Sequence, residues 1–258
     1  MDPRARPEAL MRSLRVIGIG TGNPEHLTLQ AVRALADVDA VFALDKGAET
    51  ADLLALRRSI CAAHIAKPYR FVAVEDPARD RRPADYGGTV EAWHQARADR
   101  LEEAIRDQLG AGEVGAILVW GDPSLYDSTL RVLERIRAAG RLDLAWTVIP
   151  GITSVQALTA AHAILLNRIG ADVLVTTGRN LAAQGLTADS TVVMLDGDPS
   201  FEHLDPDLTI YWGAYLGSPD EILVSGRLGT VGPEIRRRRA EARARHGWIM
   251  DTYLLRRP

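Results

Sequence analysis

An apolar run, a glycine turn and the start of a helix follow one another three times in this chain, and that recurrence narrows the fold more than any other feature. The first copy is "LRVIGIGTGNPEHLTLQ". Leu14 to Ile19 reads there as a buried strand, with Gly18, Gly20 and Gly22 alternating at its end. The second is "VGAILVWGDPSLYDST" and the third "LDLAWTVIPGITSVQAL". From Thr28 the period changes: Leu29, Val32, Leu35 and Ala36 share one helical face, with Thr28 placed to cap it. "DAVFAL" reads as a second buried strand ending in Asp45-Lys46-Gly47. "ADLLALRRSICAAHI" is helical in composition. "YRFVAV" opens as a strand and passes into a charged, proline-rich loop through Asp85 and Tyr86. "TVEAWHQARADRLEEAIRDQLGAG" is a long amphipathic helix stopped by glycine. Strands alternating with helices predict an α/β fold with a mostly parallel sheet.

After residue 155 the pattern shifts. "ADVLVTTG", "STVVMLDGD", "DLTIYWGAYLG" and "EILVSGRLG" are four strand-like runs with short polar connections. They predict a smaller mixed or antiparallel α+β unit. The expected division is therefore 14–155 and 156–258. "EIRRRRAEARAR" reads as the exposed face of the last helix, with Glu234 and Arg238 at supporting i,i+4 spacing, rather than as a basic patch.

The totals exclude several classes of protein. Acidic side chains number 34 and basic ones 31, a net charge of −3, which asks for neither nucleic acid nor anionic lipid. The single cysteine, Cys61, leaves no internal disulfide and fits a reducing compartment. No apolar segment reaches the roughly 18–20 residues of a membrane span. The opening "MDPRARPEALMRS" lacks an apolar signal core and reads as a frayed tail, so a cytoplasmic address is expected. The six histidines and the cysteine show no metal-ligand spacing, and no metal is expected.

In open α/β sheets ligands bind beyond the carboxyl ends of the strands. Three loops fall there: 18–23, 121–126 and 150–154. The first invites a dinucleotide and fails two checks. The phosphate fingerprint needs glycine where Asn23 stands, and the helix begins late, near Thr28. Asp45 lies farther from the glycines than the usual ribose-binding acid. In the second loop Gly121 permits close approach and Asp122 brings a carboxylate that accepts hydrogen bonds from ribose hydroxyls or an ammonium group, or else ties the turn. In the third, Thr153 or Ser154 caps a helix whose free N–H groups suit a ligand carboxylate.

With these residues in view, the chain resembles the tetrapyrrole methylases. The matching segments are "IGIGTGNPEHLTLQAVRALADVDAVFALDK", "WGDPSLYD", "IPGITSVQAL" and "TVVML", in order from residue 16 to about 195. The details "ALDKG", "DPARDRRPADY", "WHQAR" and "TTGRN" resemble those members that methylate a precorrin at C-1 and expel an acetyl group. The resemblance implies two α/β domains with the ligand in the cleft between them, a homodimer, S-adenosylmethionine as methyl donor and a tetrapyrrole substrate in cobalamin biosynthesis. It implies donor contacts at Trp120, Gly121, Asp122, Leu125, Thr153, Ser154 and Met194, with Gly226 a weaker match; Tyr126, beside them, is a candidate to line the donor pocket or else a core residue. Thr21 is included too, although many relatives carry proline there. Gly18, Gly20 and Gly22 would lie beside the substrate. Its many carboxylates suit Arg79, Arg81, Arg82 and Arg179. Loss of the acetyl group needs a base. Asp45 is the first candidate, with Lys46, Tyr86 and His94 also in reach of the chemistry. Three rivals stay open: methylation of another precorrin carbon without deacetylation, a nucleotide-dependent dehydrogenase, and a non-catalytic tetrapyrrole carrier.

Overall fold

The computed structural model describes residues 11–45, 47, 51–77 and 86–258. They pack as two units. One is the chain up to Gly20 with Pro24–Gly151; the other is Thr21–Asn23 with Ile152–Pro258.

The first unit runs β1 (Arg12–Gly18), α1 (Leu29–Leu35), β2 (Ala40–Asp45), α2 (Ala51–His64), β3 (Arg70–Glu75), α3 (Tyr86–Gln108), β4 (Val114–Val119), α4 (Thr129–Ala139) and β5 (Leu144–Ile149). The strands form one parallel sheet in the order β3-β2-β4-β1-β5. The unbroken apolar runs follow from helices covering both faces. Alternate residues enter opposite layers: Leu14, Val16, Phe42, Ile117 and Val119 pack with α3 and α4, while Ile17, Val41, Ala116 and Leu118 pack with α1 and α2. Thr28 Oγ1 accepts the Ala31 N–H at 3.0 Å and starts α1. Gly140, in the left-handed region, ends α4. Helix α3 begins at Tyr86, earlier than its apolar period suggested, because Gly87 and Gly88 continue the helical backbone instead of breaking it.

The second unit runs α5 (Ser154–Ala161), β6 (Val173–Thr177), α6 (Gly178–Gln184), β7 (Ser190–Met194), β8 (Thr209–Ala214), β9 (Ile222–Arg227), α7 (Leu228–His246) and β10 (Asp251–Arg256). Its sheet has the order β6-β7-β10-β8-β9. Only β6 and β7 pair in parallel, so the sheet is mixed. The expectation of four strands is corrected: a fifth, β10, occupies the centre, with Tyr253, Leu254 and Leu255 all buried. Helix α7 carries the charged run, and Arg238 Nε donates to Glu234 Oε1 at 2.8 Å as the spacing foretold. Tyr215, Trp212, Ile235 and Tyr253 belong to the core beneath it.

Candidate active site

Because the first sheet is parallel, its carboxyl ends share one edge, and β2, β4, β1 and β5 are consecutive there. The loop after β4 and the loops bearing Gly18, Gly20 and Gly151 meet backbone to backbone. Gly20 and Gly121 form an isolated bridge, the Gly121 N–H donating to Gly20 O at 2.7 Å. A Cβ on Gly18 would lie 2.5 Å from Gly151 N and 2.7 Å from Gly121 O, and one on Gly151 would overlap Gly121 O. A Cβ on Gly20 would lie 2.5 Å from His26 Cβ. The space that the missing side chains of Gly18 and Gly20 leave is filled by neighbouring chain. Gly22 takes a positive φ of 129°, a conformation that favours glycine.

Asp122 fastens this arrangement. One carboxylate oxygen accepts the Gly151 N–H at 2.8 Å; the other accepts the Ser124 N–H at 2.8 Å and the Ser124 hydroxyl. Burial alone would raise its pKa, but the Ser124 hydroxyl and the Gly151 and Ser124 amides outweigh that and hold the carboxyl below the usual range. Asp122 does not cap a helix; α4 starts seven residues later, at Thr129. Leu125 lies in the turn, its N–H on Asp122 O at 3.2 Å. Tyr126 adopts a positive φ of 51° and is 45% exposed, and its partial burial raises its pKa. Trp120 is partly buried at the strand end.

Asp45 reaches the same edge at the end of β2, where its Oδ1 accepts the Gly47 N–H at 2.9 Å. Lys46, Arg79, Arg81 and Arg82 lie outside the described residues, and so does the Tyr86 side chain. His94 is only 5% exposed and packs in α3 with its ring 5.0 Å from Trp93. Burial, then Arg131, Arg135 and Arg97, lowers its pKa, so it stays neutral near pH 7.

In the second unit Thr153 caps α5 with a full capping box: its Oγ1 accepts the Val155 N–H at 3.1 Å, and Gln156 reaches back to the Thr153 N–H. Ser154 is not the cap; its hydroxyl accepts from Thr252 Oγ1 at 3.0 Å. Thr21 is buried, and its Oγ1 has no hydrogen-bond partner among the described residues. Met194 ends β7 and precedes Leu195, which is exposed at a positive φ of 54°. Gly226 is not brought to Met194. It pairs with Ile210, which pairs with Leu255, which pairs with Thr191. That register puts it roughly 10 Å along and 14 Å across the sheet from Met194 at ordinary strand spacings. Its positive φ of 150° and a Cβ that would sit 2.9 Å from Val231 Cγ1 explain the glycine locally. Arg179 is exposed in the first turn of α6.

Reading the loops alone missed Arg57, Asp127 and Arg97, which line a cavity at the ends of β2 and β4. Arg57 carried a usable signal. It stands with Leu53, Ile60, Cys61 and His64 on the inward stripe of α2, where a charged residue is out of place. Among the described residues no group of three His, Cys, Asp or Glu side chains could hold a metal ion.

The family model for tetrapyrrole (corrin/porphyrin) methylases matches residues 13–232. A precorrin-6A synthase [deacetylating] from Sinorhizobium sp is 49% identical over 253 residues, covering 97% of this chain and 97% of that one. The crystal structure of a cobalamin-synthesis-related protein (CobF) from Corynebacterium diphtheriae superposes with a TM-score of 0.83 at 44% identity, covering 95% of this chain and 98% of the other. At the level of fold alone, a uroporphyrin-III C-methyltransferase from Thermus thermophilus, complexed with S-adenyl homocysteine, superposes with a TM-score of 0.58 at 18% identity, over 95% and 92% of the two chains.

Proposed function

This chain belongs to the tetrapyrrole (corrin/porphyrin) methylases, and from that premise we propose that it methylates precorrin-5 at C-1 with S-adenosylmethionine and releases the acetyl group as acetate, giving precorrin-6A. The observation that carries the reading is the 49% identity, over almost the full length of both chains, with a synthase named as deacetylating. The donor supplies a methyl group already activated on sulfonium. The protein's work is therefore alignment of that methyl with the ring carbon, and assistance to the acyl cleavage.

The residues present fit such a donor. Thr21 offers a buried hydroxyl with no protein partner among the described residues. Asp122 retains lone pairs beyond those its loop uses, for ribose hydroxyls or the ammonium group. Trp120, Gly121, Leu125, Tyr126, Thr153, Ser154 and Met194 complete the proposed donor contacts. Gly226, by its register, is the weakest of them. Arg179, and beyond the described residues Arg79, Arg81 and Arg82, are proposed for the substrate's carboxylates, with Asp45 and Lys46 near the reacting carbon. The same reading implies a cytoplasmic homodimer.

Incubation with precorrin-5 and S-adenosylmethionine, assayed for acetate and S-adenosylhomocysteine, tests the assignment. One acetate per homocysteine product is expected. Methyl transfer without acetate would move the assignment to another precorrin carbon. Tight NADPH binding with none of S-adenosylhomocysteine would point to a dehydrogenase, and ring binding indifferent to the donor to a carrier.

A further inference from the structure

The cavity at the carboxyl ends of β2 and β4 shares only Asp45 with the residues assigned above. Phe42, Leu44 and Val119 give it an apolar lining, and Arg57, Asp127 and Asp45 a polar one. Val119 directly precedes the "WGDPSLYD" loop and Asp127 ends it, so the cavity is built on the proposed donor loop.

Arg57 is held in place but not neutralised. Its Nε donates to Leu118 O at 3.0 Å and one terminal nitrogen to Leu53 O at 2.8 Å. Among the described residues no carboxylate stands within ion-pair distance of it. Arg97 on the same wall is different: its guanidinium grips both oxygens of Asp76, and its third nitrogen donates to Ser128 Oγ at 2.7 Å. Ser128 is thereby drawn away from capping α4. Asp127 serves instead, its Oδ1 accepting the Thr129 N–H at 2.6 Å, while its other oxygen makes no hydrogen bond among the described residues. Burial lowers the pKa of Arg57, opposed in part by the Asp127 carboxylate and by Cys61. Asp127 stands in the same lining as this guanidinium with one oxygen making no hydrogen bond among the described residues.

An unpaired guanidinium and a carboxylate with a free oxygen, lining one small and partly apolar cavity, select a ligand. A free carboxylate would be attracted by Arg57 and repelled by Asp127 and Asp45. A neutral acyl group meets no such conflict. Its methyl suits Phe42 and Val119, and its carbonyl oxygen suits Arg57. We propose that this cavity receives the substrate's acetyl group, with Arg57 stabilising the oxyanion and Asp127 taking the proton from the attacking water. The proposal rests on the deacetylating reading above. Water forms the new C–O bond to the acetyl carbon, its proton passes to Asp127, and the carbonyl π pair moves onto the oxygen beside Arg57. Collapse of this adduct restores the C=O bond and breaks the C–C bond to C-1. The released pair is held by the ring; bound S-adenosylmethionine would supply the methyl that this pair takes up, the S–CH3 bond breaking as S-adenosylhomocysteine leaves. Acetic acid leaves, and Asp127 returns its proton to solvent. Once ionised, the product is repelled by the two acids, which favours its escape.

The test compares wild type, R57Q and D127N for acetate release, with S-adenosylhomocysteine binding by calorimetry as the control for folding. Each variant is expected to lose about a hundredfold or more in kcat, the usual scale for an oxyanion donor or a general base, with homocysteine-product affinity within about twofold of wild type. Added guanidinium ion should restore part of the rate to R57A, which repair of a structural role would not do. Acetate release within about threefold of wild type, in either variant that still binds the homocysteine product, overturns the proposal on this scale. If R57Q does not fold, D127N decides alone, since asparagine keeps the acceptor for the Thr129 amide. A wild-type enzyme that releases no acetate defeats the reaction assignment itself, and the proposal with it.

Discussion

A methyl group on Gly151 would run into the Gly121 carbonyl, and backbone cannot swing aside as a side chain does. G151A should cost about 1–3 kcal/mol, the ordinary scale of overpacking, read as a lower urea midpoint. G197A, where a Cβ meets nothing within 4 Å, should stay within about 0.5 kcal/mol. Asp122 gives the matching polar prediction. In D122N one terminal atom becomes an NH2 donor, so Ser124 and Gly151 cannot both keep an acceptor; a loss of about 1–3 kcal/mol at pH 7 follows. Its folded pKa is depressed, so the stability from its charge is fully present above the unfolded value of about 3.9 and disappears as pH falls through the folded value. The gap between wild type and D122N, measured from pH 7 down to about 2.5, should narrow in that window and not above it. At this scale the sequence displayed which positions were glycine but not what fills the space beside them. A gap spent on a neighbouring loop and a gap kept for a ligand look alike until the loops are placed. Arg57 was legible, being a charge on an apolar stripe, whereas Asp127 was not. Its importance comes from Arg97 claiming the Ser128 hydroxyl across 31 positions of chain.

The second sheet depends on its last strand. Strand β10 pairs with both β7 and β8, so without it neither would have a neighbour on that side. Local periodicity could not show this. The apolar core of β10 is only Tyr253 to Leu255, trailing a long charged helix, and its centrality is fixed by pairings made far back in the chain. The strand–turn–helix units of the first sheet were legible for the opposite reason: each is a local segment with its own period and cap. Strand β10 is also locked to α7 by a buried ion pair. Arg239 Nε donates to Asp251 Oδ2 at 2.9 Å with the two side chains only 8% and 5% exposed, and Trp212 Nε1 donates to the same oxygen at 2.9 Å. The same guanidinium holds Asp196 O and Gly197 O, while Tyr253 OH donates to Asp196 Oδ2 at 2.6 Å. Removing one partner strands the other in an apolar core, so R239M should cost about 3–5 kcal/mol. D251L should cost a similar amount, and the double variant clearly less than the two together. Additive losses in a urea-unfolding cycle would show that the pair is not coupled.

At the scale of the whole molecule, one stretch of exposed apolar residues among the described residues bears on assembly. No helix among the described residues is long and apolar enough to cross a membrane. Yet Leu165 is 76% exposed and Ile169 fully so, in the segment between α5 and β6, and Val173 is exposed on β6 itself. β6 is an edge strand. Scattered apolar residues on a surface need no explanation, but three exposed within the stretch 165–173 favour a partner. A second copy of the same chain is the partner that the proposed homodimer supplies, with the same patch buried on both sides of a twofold axis. Light scattering on the eluting protein should give twice the chain mass of 28.1 kDa. The pair L165E and I169E places like charges opposite one another across such an axis, which costs far more than it would on a free surface. That variant should elute at 28.1 kDa with its unfolding midpoint otherwise held. A wild-type chain already at the single mass would remove the homodimer. A double-mass variant would move its contact surface away from this edge.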